Sequence, residues 1–90
     1  MNVSKEISIV NKLGLHLRAA AQFVQTANKY QCDVWVAKDE RRVNGKSIMG
    51  VMTLVAAMGS VIKVDCEGPD AQTCVDALEK LAADKFGEKE

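Results

Sequence analysis

Along these 90 residues, stretches whose apolar positions repeat every second residue alternate with stretches that repeat every three to four. This alternation constrains the fold most, because each period fixes which face of an element must be covered. Residues 3–10 (Val-Ser-Lys-Glu-Ile-Ser-Ile-Val) are rich in β-branched residues and alternate over Glu6-Ile7-Ser8-Ile9, which predicts a strand. From Leu17 to about Asn28, Leu17, Ala20, Ala21, Val24 and Ala27 fall at helical spacing. A second strand is predicted over 32–37, a polar turn over 38–41 and a short third strand over 41–43, closed by Asn44-Gly45. Ser47 opens a second helix running through Ile48, Met49, Val51, Met52 and Val55, with Val51 and Val55 expected in the core. Gly50 weakens that helix, so it should be short. Residues 61–66 form a fourth strand with Ile62, Val64 and Cys66 on one face. Gly68-Pro69-Asp70 starts a third helix, with Asp70 as an N-cap residue. Its apolar stripe is Ala71, Cys74, Leu78, Leu81 and Ala82; Gly87 should end it and residues 88–90 should fray.

The resulting order, β-α-β-β-α-β-α, has an economical solution. An antiparallel four-stranded sheet, half-buried on one face, is covered there by three amphipathic helices in one α+β domain spanning 1–90. A chain this short buries only about 60–65% of its unfolded surface. At 48% hydrophobic and 27% charged residues it still carries enough apolar material for a packed core and does not read as disordered.

The chemistry concentrates at one end of the first helix. Gly14-Leu15-His16-Leu17-Arg18 holds the only histidine, placed at or within one residue of the helix N-cap. Free N–H groups of Leu17 and Arg18, the positive end of the helix dipole and the Arg18 guanidinium together suit an anion. A cation in the first turn is slightly unfavourable by itself, so Arg18 there asks for a negative partner. A neutral imidazole beside such a site can act as a nucleophile toward a phosphoryl group, and a guanidinium can hold the oxygens through paired bonds. Gly14 lets the loop backbone approach closely. The plain alternative is a surface histidine that only caps a helix. Ser47 has an equally plain reading as the N-cap of the second helix, without a capping box because Gly50 stands three residues later.

Other functions find less support. Zero formal net charge gives no general attraction to nucleic acid or anionic membrane. The four aromatics, Phe23, Tyr30, Trp35 and Phe86, are scattered and make no base-stacking platform. Gly45-Lys46-Ser47 ends like a phosphate-binding loop, but the glycine needed five positions earlier is Glu40. No apolar stretch approaches a membrane span, and residues 1–6 lack a signal-peptide layout, so the expectation is a cytoplasmic protein without membrane insertion. Cys32, Cys66 and Cys74 form no CxxC pair and each falls on an apolar face, so they read as core residues; neither metal nor cofactor is expected.

Gly14-Leu15-His16-x-Arg18, the later Gly45-Lys46-Ser47-Ile48-Met49 and the element order together resemble the family of histidine-containing phosphocarrier proteins, HPr, of the bacterial sugar phosphotransferase system. The likeness covers nearly the whole chain. It implies an open-faced sandwich of four antiparallel strands under three helices. It also implies that His16 takes phosphate from phosphorylated enzyme I and passes it to EIIA domains of sugar permeases, so that the protein is a carrier and not an enzyme. In the family the phosphate sits on the ring Nδ1. In part of the family the serine matching Ser47 is phosphorylated by an HPr kinase/phosphorylase, and Ile48, Met49 and Met52 beside it would then form an adaptable partner surface. One residue departs from the pattern: the family usually has proline after the arginine, and here it is Ala19. A purely regulatory relative acting through Ser47 and protein contacts, or a carrier of a nitrogen-regulation branch, are the alternative readings.

Overall fold

The computed structural model describes residues 1–90. Its elements are β1 (Asn2–Ser8), α1 (Leu17–Ala27), β2 (Asp33–Lys38), β3 (Arg41–Asn44), α2 (Ile48–Met52), β4 (Val61–Glu67) and α3 (Ala71–Ala83), followed by a 3₁₀ turn at Lys85–Gly87. The four strands form one antiparallel sheet in the order β1-β4-β2-β3, with β4 paired on both sides. Ile7 lies opposite Ile62, and Val64 opposite Val36, so one sheet face is apolar across β1, β4 and β2 except at Lys5 on the edge strand. On β4 the alternation is complete: Ile62, Val64 and Cys66 are buried, while Val61, Lys63 and Glu67 are exposed. The helices cover the apolar face, with α3 packed on β1 and β4, and α1 packed on α2 and α3. Phe23, Phe86, Ile9, Ile62, Leu78 and Val36 are the large residues at the centre of that core.

Lys5 occupies a core-side register position, opposite Val64, on the edge strand β1. Its chain reaches out to pair with Glu79 of α3 at 2.9 Å, keeping the ammonium in water while the stem covers apolar surface. On the sheet's other face the Arg42 guanidinium lies 4.6 Å from the Trp35 ring centroid, a cation–π contact across the β2–β3 pair.

Several expectations change. In α1 the buried stripe is Ala19, Ala20, Phe23, Val24 and Ala27. Leu17, expected on the inside, is 61% exposed, because the stripe is rotated by the bulk of Phe23. The second helix ends at Met52, so the helical period does not carry Val55 inward. Val55 is exposed, with a φ of +49°, and Leu54 is buried in its place. Asp70 stands at the N-cap of α3 but does not cap it. Its carboxylate instead accepts from the backbone N–H of Gln31 (2.8 Å) and Cys32 (2.9 Å), tying the α3 start to the approach of β2.

The end of α3 differs most. The helix stops at Ala83, and Lys85 and Phe86 follow with φ of +59° and +55°. This turn buries Phe86 in the core. Residues 88–90, expected to fray, are thereby laid against the loop before α1. Lys12 N–H donates to the Glu90 carbonyl, and Glu88 bonds to Asn11 and His16.

Candidate functional site

Gly14 sets the geometry of the loop that presents His16. It has a φ of +68°, and a side chain there would be driven into the Ala56 carbonyl and within 2.9 Å of Ala57 Cα. Only glycine meets both conditions. The next residue, Leu15, is buried, and its N–H donates to Ala56 O at 2.9 Å. His16 then leaves the loop as the N-cap of α1, with extended φ/ψ of −72° and 179°. Its ring is partly open, at 27% side-chain exposure.

Two contacts fix the ring. The backbone N–H of Arg18 donates to Nδ1 at 3.3 Å, so the imidazole itself is the capping acceptor. On the other side, Nε2 meets the carboxylate Oε2 of Glu88. A carboxylate can only accept and an N–H can only donate, so both contacts are met by one neutral tautomer. The proton sits on Nε2 and the lone pair on Nδ1, at the N-terminus of α1.

Glu88 is itself oriented. Its Oε1 accepts from the side-chain amide of Asn11 at 2.9 Å, and the same amide donates to Gly14 O at 2.8 Å. Asn11 is fully buried. The carboxyl of Glu88 is held below its ordinary range, first by the Asn11 amide; burial opposes this next in size, and the contact with His16 and the charge of Arg18 lower it further. The ring therefore faces an ionised carboxylate. Arg18 is exposed and lines a depression with Lys12, Gln22 and the Gly87–Glu90 segment. Ala19 is fully buried under the first turn.

Of the residues singled out in sequence, His16, Leu17 and Arg18 meet at this helix start. Ser47 stands at the N-cap of α2, its Oγ accepting from Gly50 N–H at 3.1 Å. Gly50 leaves just enough room: an added Cβ would lie 3.3 Å from Ser47 Oγ. Ile48, Met49 and Met52 are exposed, Met49 at 78%. Met52 joins Leu13, Leu15, Val55, Ala56 and Ala57 in an apolar depression of about 290 Å³ that also touches His16; Ile48 and Met49 stand outside it. Sequence reasoning missed Asn11 and Glu88. Only the separation of 72 residues between His16 and Glu88 hides the pair, since a polar run after Gly87 looks like a solvated end.

The comparisons with known proteins decide the family. The family model PTS-HPr, described as the phosphotransferase-system HPr component phosphorylation site, matches residues 3–84. The chain belongs to the HPr family. It is 49% identical over 88 residues to the phosphocarrier protein HPr of Neisseria meningitidis, covering 98% of this chain and 99% of that one. A crystal structure of HPr-C-His from Thermoanaerobacter tengcongensis superposes with a TM-score of 0.93 at 48% identity, covering 98% and 99% of the two chains. The HPr-like protein Crh of Halalkalibacterium halodurans is 43% identical over 76 residues, covering 84% of this chain and 90% of that one. HPr proteins are phosphocarriers of the phosphotransferase system, carriers and not catalysts, which agrees with the fold and with the reading of the sequence. No helix is long and apolar enough to cross a membrane.

Proposed function

We propose that His16 accepts a phosphoryl group on Nδ1 from phosphorylated enzyme I and hands it to EIIA domains of sugar permeases in the cytoplasm. The observation that carries this reading is the pair of contacts on the ring: Arg18 N–H on Nδ1 and Glu88 on Nε2. The Nδ1 lone pair attacks phosphorus, the N–P bond forms, and the bond to the donor breaks with its electron pair leaving on the donor. The ring becomes cationic as it loses that lone pair to phosphorus. Glu88, on Nε2–H, balances the charge without leaving its place. Arg18 N–H, released from Nδ1, joins Leu17 N–H and the Arg18 guanidinium in holding phosphoryl oxygens. Each of these contributions is worth about 0.3–2 kcal/mol, which suits a group that must be passed on. A deeper well would trap it.

Leu17, Leu13, Met52 and Val55 surround the site with exposed apolar area. Such a surface suits brief docking of more than one partner. The test is incubation with enzyme I and phosphoenolpyruvate. The parent chain should gain an acid-labile, base-stable phosphoryl group, His16→Ala none, and Arg18→Ala should be loaded more slowly while remaining folded. Full loading of His16→Ala overturns the assignment.

A second reading rests on Ser47, whose Oγ is the N-cap acceptor of α2 beside exposed Ile48 and Met49. A phosphate there, added by an HPr kinase/phosphorylase, would bring about −1.5 to −2 charge to a helix start that tolerates it and to an apolar surface that does not. It would thus alter partner choice and leave the fold intact. Exposure to such a kinase with ATP, followed by mass measurement of parent and Ser47→Ala, tests this; an unmodified parent refutes it.

A further inference from the structure

The three cysteines, distant in sequence, converge in the core. Cys32 precedes β2, Cys66 lies on β4 and Cys74 faces them from α3. Their sulfurs all lie within 4.8 Å of one another, all three residues are at most 1% exposed, and none is in a disulfide. The chain's histidine is not part of the group.

We propose that Cys32, Cys66 and Cys74 form a three-sulfur site for a trivalent thiophilic metalloid, arsenic(III) being the representative ion. Arsenic(III) keeps a lone pair, so its three bonds to sulfur form a pyramid whose sulfurs stand closer together than those of a flat three-coordinate centre. From a mutual spacing within 4.8 Å, inward rotation of the three side chains brings the sulfurs onto one centre. Soft thiolate donors select soft, polarisable centres.

Charge then separates the candidates. Three thiolates around copper(I) leave a net charge of −2, and around zinc(II) a charge of −1. Around arsenic(III) they leave none. An uncompensated charge in an apolar interior is strongly disfavoured. The charged group that bears on Cys32 and Cys74 is the Asp70 carboxylate, which is negative and would repel an anionic centre. In this apolar interior the site must fill by an exchange that leaves no charge behind. Arsenous acid provides it. Its three As–O bonds break, three As–S bonds form, and each hydroxyl leaves as water with the proton of one thiol. No oxidation state changes and no further reactant is needed. Because the sulfurs are sealed, filling requires α3 to lift from the sheet transiently.

The test is titration of the reduced full chain with sodium arsenite. Native mass spectrometry should show one arsenic gained and three protons lost, and arsenic X-ray absorption of the folded chain should show three sulfur neighbours. The bound chain should unfold at a higher temperature. Cys32→Ala, Cys66→Ala and Cys74→Ala, each checked for native circular dichroism, should bind roughly a hundredfold more weakly. Zinc should not displace arsenic. A parent chain that takes up no arsenic, or that keeps a free thiol when arsenic is bound, overturns the proposal without any variant. Equal affinity in a folded single variant, or tighter binding of zinc, overturns it too.

Discussion

Replacing Glu88 with glutamine tests how the ring is made ready. The amide keeps the size of the side chain and one acceptor oxygen for Nε2–H, but it removes the negative charge and turns an NH2 toward the Asn11 amide that donated to the other oxygen. In the resting protein the Nε2–H contact needs only an acceptor oxygen, so the ring should keep its place, and the cost falls on the Asn11 hydrogen bond. In the phosphorylated protein the ring is cationic, and the lost charge matters. Two unit charges about 4 Å apart interact by about 1 kcal/mol in water and about 4 kcal/mol near a protein surface. The side chains of His16 and Glu88 are 27% and 13% exposed, and the phosphoryl group brings its own negative charge to the far side of the ring. A net effect of about 1–2 kcal/mol follows. At 1.4 kcal/mol per factor of ten, the equilibrium of phosphoryl exchange with enzyme I should move toward enzyme I by roughly fivefold to thirtyfold. The assay is quantification of both phosphoproteins at fixed phosphoenolpyruvate and pyruvate. Ring ¹⁵N spectra of the unphosphorylated parent should show the proton on Nε2. A shift under twofold in Glu88→Gln, or a proton found on Nδ1, would refute the role given to Glu88.

Phe86→Ala should destabilise the fold by about 3–5 kcal/mol by emptying a buried aromatic position, and should also release Glu88 from His16, visible as a ring ¹⁵N change under conditions where the chain is still folded. Val55→Asn should stabilise by about 0.5–1 kcal/mol in denaturant unfolding, because an exposed β-branched residue at a φ of +49° is replaced by one that tolerates it. Asp70 is held below its ordinary range, first by Gln31 N–H and then by Cys32 N–H, with burial opposing. A depressed carboxylate adds stability above the unfolded-state pKa and loses it as pH falls through the folded one. The gap in unfolding midpoint between the parent and Asp70→Asn should therefore be full at neutral pH and shrink below the usual carboxylate range; a gap independent of pH contradicts this.

Local patterning made the elements legible. The strands of the sheet and the short α2 follow from period and from Gly50, and His16 at the N-cap follows from its place between the Gly14 turn and the helical run. Positions decided by tertiary packing were not legible. Phe23 turns α1 so that Leu17 faces outward, and the end of α2 at Met52 throws Val55 to the surface. Asp70 has the right residue type for a cap, yet the nearby N–H groups of Gln31 and Cys32 compete for its carboxylate and win. The candidate site was half visible. His16 and Arg18 sit two residues apart on one helix start, whereas Asn11 and Glu88 come to them only because Phe86 anchors the chain after α3. The cysteines divide the same way: each one's apolar face could be read locally, but their meeting depends on how α3 lies across β4 and the start of β2.

The most direct measurement is ³¹P and ¹⁵N spectroscopy of the protein after loading by enzyme I and phosphoenolpyruvate. A single phosphoryl group bonded to Nδ1 of His16, with Nε2 still protonated, is the predicted result. Phosphorus on Nε2, or on any other residue while His16 stays unmodified, would contradict it.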